Sequence, residues 1–374
     1  MIVPAQEIVF DVEDRNLILA EIGRLLDEGR LSAGRNVDRF EQAFAQYVGV
    51  QHAVAVSSGT MALELIMLAM GVRGRTVIVP ANTNFATFVA ASRAGARVVL
   101  CDVDEVTLSP RVSDLTAVVT PETAVVIVVH MGGFISGEMP AIIDWCRERG
   151  IALIEDAAHA HGSVRGDRHA GTFGLAGAFS FFATKVLATG EGGMVVTNDA
   201  SLAAEVRLYR NLGKASAWVS NHTRMGTNGR MSELAAVVGW QQLARLDEKV
   251  AARRQIADLY SEALVGVPGL LMLRPGHPYS GYKVVGQLAP DVDRSAFKAS
   301  VADAGVQLAG EVYSEPLHHQ PVLGEAYGHL TFPGAEASCA RQICLPIYPT
   351  LDRERLDLVV RSVIERLAAV AGPA

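Results

Sequence analysis

Cysteine is scarce in this chain. Its four, Cys101, Cys146, Cys339 and Cys344, are too few for a disulfide framework in 374 residues and lack the spacing of a zinc site, so they read as packed, reduced thiols. Long apolar runs are absent as well. Stretches such as Ala124–Val129 fall far short of the roughly 20 residues that cross a bilayer, so no membrane span is predicted and no membrane partner is expected. No basic residue precedes Arg15, whereas Glu7, Asp11, Glu13 and Asp14 do, so the N-terminus does not read as a secretory signal and the expected location is cytoplasmic. Positive charge is also short, 33 Lys and Arg against 40 Asp and Glu. The net −7 repels a phosphate backbone and argues against nucleic acid as a partner. No internal repeat or low-complexity tract is present.

What remains is a well-packed globular composition, 50% hydrophobic and 20% charged, with a mean hydropathy of +0.24. At about 150 residues per domain, the length suggests two domains. Through the first two-thirds, short β-branched runs alternate with helical patterns, which predicts an α/β layer around a mainly parallel sheet. The predicted strands are Ala53–Val56, Thr76–Val79, Arg97–Leu100, Val125–Val129, Ile151–Ile154, Gly177–Phe181 and Met194–Thr197. Between the first two, Leu63, Ile66, Met67 and Met70 share one helical face that ends at Gly71. A helix from Ser232 carries Leu234, Val237, Val238, Leu243 and Leu246 on one stripe and is expected to run on through Asp247–Arg254 toward Tyr260.

The Pro/Gly-rich stretch Pro268–Gly281 marks a boundary, followed by a strand at Lys283–Leu288 and a helix at Asp293–Ala304. A last helix carries Leu356, Val359, Val360, Val363 and Leu367, with Thr350 expected as its cap. The expected division is a large α/β domain with N-terminal helices over 1–245 and a smaller C-terminal α+β domain over 246–374.

Four segments stand where chemistry sits in such sheets, at strand ends that lead into helices. Ser57-Ser58-Gly59-Thr60 is an N-cap or, through free amides and a bare glycine, an anion cradle. Glu155-Asp156 ends a buried strand, where an acid must be paired or shift its pKa. His159 and His161 follow, alternating in a way that makes a poor metal pair, and no metal is expected. Lys185 comes after Phe179-Ser180-Phe181-Phe182-Ala183-Thr184, an apolar approach that desolvates an ammonium and frees the amine as a nucleophile. Asn228-Gly229-Arg230-Met231-Ser232 is a polar turn entering a helix. Together, an anion cradle, a carboxylate on a strand end and a desolvated lysine are the equipment for pyridoxal phosphate.

In this ordered set the sequence resembles the sugar aminotransferases of the DegT/DnrJ/EryC1/StrS family. The matching stretches are SSGTMAL (57–63), VPANTNFAT (79–87), IEDAAHAHG (154–162), FSFFATKVLATGEGGMV (179–195), NGRMSELAA (228–236), EPLHHQP (315–321) and LPIYP (345–349). The resemblance implies a pyridoxal-phosphate-dependent transferase of fold type I, with a seven-stranded, mainly parallel sheet in its large domain. It implies Lys185 as Schiff-base lysine and proton shuttle, Asp156 at the pyridine nitrogen, and His159 beside the cofactor ring. Gly59, Thr60 and Ser180 would hold the phosphate, and Asn228 would reach the cofactor of a neighbouring subunit in a homodimer. His318 matches a substrate-lining segment, and Arg230 is the candidate for the donor carboxylate.

Two departures concern the acceptor side. Where the family commonly has an aromatic residue to stack on the ring, this chain has Asn84 with Phe85 next, so either Phe85 stacks through a shifted turn or an amide meets the ring. The turn His130–Ser136 is longer than in many members. The implied reaction moves an amino group from glutamate or glutamine to a keto-sugar, expected to be nucleotide-linked, in amino-sugar or secondary-metabolite biosynthesis. A free keto-sugar or keto-cyclitol is the alternative acceptor, and a non-catalytic regulator on the same fold is a rival of another class. Family members that dehydrate carry histidine at the lysine position, so Lys185 favours transfer.

Overall fold

The computed structural model describes residues 2–215 and 220–370. Two helices, α1 (Val12–Glu28) and α2 (Arg35–Val48), lead into a central sheet formed by β1 (His52–Val56), β2 (Thr76–Pro80), β3 (Arg97–Cys101), β4 (Thr123–Val129), β5 (Ala152–Asp156), β8 (Ala176–Ser180) and β9 (Gly193–Thr197). A short hairpin, β6 (Val164–Arg165) with β7 (Arg168–His169), lies between β5 and β8. The strand order is β1-β9-β8-β5-β4-β2-β3, and only β9 runs against the rest. All seven predicted strands are present, each within two residues of its expected ends.

Helices α3 (Gly59–Ala69), α4 (Phe85–Arg93), α5 (Val112–Val118), α6 (Met139–Glu148), α7 (Ala200–Arg210) and α8 (Glu233–Ala244) cover the sheet. Strand residues alternate between two cores: Val54 and Val56 pack with α3, α4 and α7, whereas Ala53 and Ala55 pack with α2, α6 and α8. Burial on both faces explains why β2 and β4 read as unbroken apolar runs. Helix α3 is sunk further than an amphipathic stripe predicts: Ala62 to Met67 are all buried, the Glu64 carboxylate among them, with Arg93 against it.

The rest of the chain builds a second core. Strands β10 (Leu270–Met272), β11 (Val284–Leu288) and β12 (Gln342–Leu345) form an antiparallel sheet. Around it pack α9 (Leu246–Leu264), α10 (Arg294–Asp303) and α13 (Arg353–Val370), while α11 (Gly324–Tyr327) and α12 (Pro333–Arg341) lie in the connection. The N-terminal residues join this side, with Val3 bridging Val306.

Three expectations are corrected. The helix from Ser232 does not continue: Arg245 leaves helical geometry (φ −107°, ψ 5°), so α8 and α9 are separate, and Leu234 is exposed while its stripe-mates Val237 and Leu243 are buried. Arg245 is held at this corner by a carboxylate cluster, Glu13, Asp14 and Glu248, which periodicity cannot register. The last helix is capped by Asp352, whose Oδ1 accepts from Arg355 N at 2.8 Å, while Thr350 donates to Glu7. Finally, the Pro/Gly-rich stretch contains β10, which its turn-forming composition concealed.

Candidate active site

The C-terminal ends of β1, β5 and β8 converge with the N-terminal end of antiparallel β9, so that Gly193 lies opposite both Val56 and Ser180. A cavity of about 210 Å³ opens there, and Gly59, Thr60, Asp156, His159, Ser180 and Lys185 all line it. Six of the residues singled out by sequence, spread over more than a hundred positions, thus share one space.

Part of its lining is the start of α3, with Ser58, Gly59 and Thr60 beside Ser180. Ser58 caps α3, its Oγ accepting from Met61 N at 3.1 Å, and Ala62 N is the first amide to bond back to Ser58 O. Gly59 and Thr60 therefore present their amides at the positive end of the helix dipole. The approach is tight. A Cβ on Gly59 would meet Ser180 Cβ at 2.7 Å, and one on Gly193 would meet Ser58 O at 2.3 Å. A helix start, a hydroxyl and two glycines that admit no side chain form a cradle for a small oxyanion.

At the other end Asp156 is almost fully buried. Its Oδ2 accepts from the Thr87 hydroxyl at 2.8 Å and its Oδ1 from Ala158 N at 3.2 Å. Burial raises its pKa, and these two hydrogen bonds, with the Lys185 charge, hold it back. Such a carboxylate fits a protonated ring nitrogen that would complete its pairing. The neighbouring Glu155, fully buried, accepts from Gly171 N, Phe173 N and Gly174 N and contacts His130 Nε2 at 2.7 Å. It ties the loop after β7 to β5 and so fixes the strand end that carries Asp156.

Lys185 lies half-buried, with its ammonium enclosed. Burial brings its pKa down to about 8, and Asp156 pulls the other way. Its Nζ sits 4.8 Å from the centre of the Tyr282 ring. His159 stacks on Tyr282 at 4.4 Å and on Tyr313 at 6.0 Å, and burial holds it neutral, its pKa well below the usual value. His159 Nδ1 has no partner among the described residues. The donor set, an anion cradle, a buried acid and a lowered lysine, fits pyridoxal phosphate.

Four expected residues lie elsewhere. Phe85 does not line the cavity: its ring stacks on Phe88 at 5.9 Å, and Asn84, the N-cap of α4, faces the cavity instead. Asn84 is the extended N-cap (φ −63°, ψ 145°) and Phe85 the first helical residue of α4. His318 is fully buried against Glu336 (3.0 Å) and Phe332, outside the cavity. With His319 the pair His318–Glu336 forms the one His/Cys/Asp/Glu cluster of metal-ligand size among the described residues. Asn228 is exposed, and Arg230 bonds to Asn211 Oδ1 at 2.9 Å; neither lines the cavity of its own chain. The turn His130–Ser136 is buried and does not line it, although His130 N donates to Asp156 O at 3.0 Å.

Sequence reasoning missed Thr87, Tyr282 and Tyr313. Thr87 falls within VPANTNFAT, where its two-residue distance from Phe85 gave no sign of a partner 69 positions away. The tyrosines come from the chain beyond α9, pack against the two cores of the main sheet and carry no local signal.

A family model for the DegT/DnrJ/EryC1/StrS aminotransferase family matches residues 12–364. A GDP-perosamine synthase of Escherichia coli O157:H7 is 33% identical over 340 residues, covering 89% of this chain and 91% of its own. A dTDP-4-dehydro-2,3,6-trideoxy-D-glucose 4-aminotransferase of Saccharopolyspora spinosa is 34% identical, covering 93% and 92%. Among solved structures, the aminotransferase TlmJ from Streptoalloteichus hindustanus superposes with a TM-score of 0.87 at 34% identity over the whole of both chains.

Proposed function

The chain belongs to the DegT/DnrJ/EryC1/StrS aminotransferase family, and on that premise we propose that it uses pyridoxal phosphate to carry an amino group from glutamate or glutamine to a nucleotide-linked keto-sugar. The observation that carries this reading is Lys185, an enclosed amine with a pKa of about 8 in the same cavity as the buried Asp156. When bound, pyridoxal phosphate supplies an aldehyde that condenses with amines and a protonated ring that draws off the electron pair left when a substrate carbon loses its proton.

This chain's residues do the rest. The amides of Gly59 and Thr60 and the hydroxyl of Ser180 hold the phosphate, and Asp156, kept in place by Thr87 and the Ala158 amide, holds the proton on the ring nitrogen. His159, braced by Tyr282 and Tyr313, would flank the cofactor ring. Lys185 Nζ anchors the cofactor and then takes and returns the proton of the reacting carbon. At pH 8 about half of a lysine with this pKa is neutral, against roughly 0.3% at its ordinary value. The nucleotide-linked acceptor is supported by the activities of the relatives above.

Asn228 and Arg230, turned from their own cavity, fit a role in the cavity of a second copy, so the active unit in this reading is a homodimer. Residues 1–245 carry the cofactor, and residues 246–374 supply the acceptor side through Tyr282, Lys283 and Tyr313. The four cysteines, all buried and unpaired, suit a cytoplasmic location. Among the described residues no helix is long and apolar enough to cross a membrane.

The test is optical. Adding pyridoxal phosphate should give a band near the visible edge that glutamate or glutamine bleaches and that Lys185→Ala never forms. A wild-type protein that stays colourless with added cofactor refutes the reading and favours a non-catalytic role. Amino transfer to a panel of nucleotide-linked and free keto-sugars and keto-cyclitols then identifies the acceptor, and turnover of free ones alone would replace the proposed class.

A further inference from the structure

Beyond the cofactor end, the Lys185 cavity continues into a wider opening of about 500 Å³ where the second core meets the sheet. Two ammonium groups face this space. Lys283, at the head of β11, lines it together with Lys185, and both sit around one ring: Lys185 Nζ is 4.8 Å and Lys283 Nζ 5.6 Å from the centre of Tyr282. The sum of those distances caps the separation of the two nitrogens. Both amines therefore lie within reach of one ligand seated in the opening.

Lys283 is uncompensated. Its Nζ donates to Gly310 O at 3.0 Å, and no carboxylate pairs with it among the described residues. The acid that shares the opening, Glu311, is engaged by Lys298 instead. A half-buried ammonium with one carbonyl partner keeps two donors for a ligand, and an anion within the cavity would supply the missing charge.

Resting on the aminotransferase reading, we propose that Lys283 is a specificity-determining residue that binds the phosphate of a nucleotide-linked acceptor while Lys185 works at the keto carbon. The donor's carboxylate is not its ligand in this assignment, which the donor step tests. Neutral keto-sugars gain nothing from it.

The experiment compares wild type, Lys283→Met and Lys283→Arg as pyridoxal-phosphate holoenzymes. Calorimetric titration with dTDP and with GDP reads the phosphate contact, and bleaching of the cofactor band by glutamate and by glutamine reads the donor step. Loss of one charge-assisted hydrogen bond should weaken nucleotide binding tenfold or more in Lys283→Met, with Lys283→Arg within a few-fold of wild type and the donor concentration dependence unchanged. Equal nucleotide affinity in wild type and Lys283→Met would overturn the assignment, as would a methionine variant whose defect is confined to the donor step. Bleaching of the wild-type band by a donor stands apart from these outcomes, so the aminotransferase reading can survive while the role of Lys283 fails.

Discussion

Replacing Gly59 with alanine sets two effects of opposite sign against each other. Alanine in a helix is favoured over glycine by about 1 kcal/mol, less at a first-turn position. Against this, the new Cβ would stand 2.7 Å from Ser180 Cβ and 3.2 Å from Ser180 Cα. Ser180 has little room to give way, because its backbone pairs with Gly193 of β9 and the strand leading to it is held by β5 as far as Ala178. Overpacking of this kind costs about 1–3 kcal/mol, so the balance falls on destabilisation. The larger effect is on the cofactor, since relief requires α3 to withdraw and its free amides move with it.

Thermal denaturation with and without pyridoxal phosphate separates the two. At a ligand concentration about 100 times Kd, the wild type should gain about 2.7 kcal/mol, and Gly59→Ala should lose most of that gain along with a few degrees of apo stability. Adding Ser180→Gly removes the closest contact, so the double variant should recover apo stability but not cofactor binding, the hydroxyl being gone. A Gly59→Ala protein with wild-type apo stability and undiminished stabilisation by the cofactor would refute the account of the cradle.

Other consequences can be measured directly. Glu155→Gln puts an amide where backbone N–H groups point, and should cost about 2–4 kcal/mol in chemical denaturation, the range for a broken buried network. Thr87→Val removes a donor from Asp156 and lets its pKa rise further, so cofactor affinity should fall about tenfold. Because the defect is protonation of Asp156, it should shrink as pH rises; a loss that is independent of pH would contradict this. Cofactor capture needs neutral Lys185, so in rapid-mixing experiments the rate at which pyridoxal phosphate joins the cofactor-free protein should climb with pH through about 8 and then level off; a rise centred near the ordinary lysine value would show that the amine is not enclosed.

Much of this protein was settled locally. Each strand of the main sheet is a short β-branched run between turn residues, and both faces of β2 and β4 are covered, so composition alone located them. The same holds for the ends of β1 and β5, where Ser58 and Asp156 stood out because such sheets expose their strand ends to ligands, whereas Ser180 was marked only by the family resemblance. The apolar approach to Lys185 foretold an enclosed amine, and the structure lowers it to about 8.

What local sequence could not carry was pairing at a distance. The bond from Thr87 to Asp156, the corner at Arg245 set by carboxylates from α1, and the stack of His159 with Tyr282 and Tyr313 each join segments whose own patterns are unremarkable. Asn84 and Phe85 differ by one position, and only the cap geometry of α4 decides which of them meets the cavity. Periodicity reports which face of an element is buried, but which groups a buried charge finds there depends on how separate elements come together.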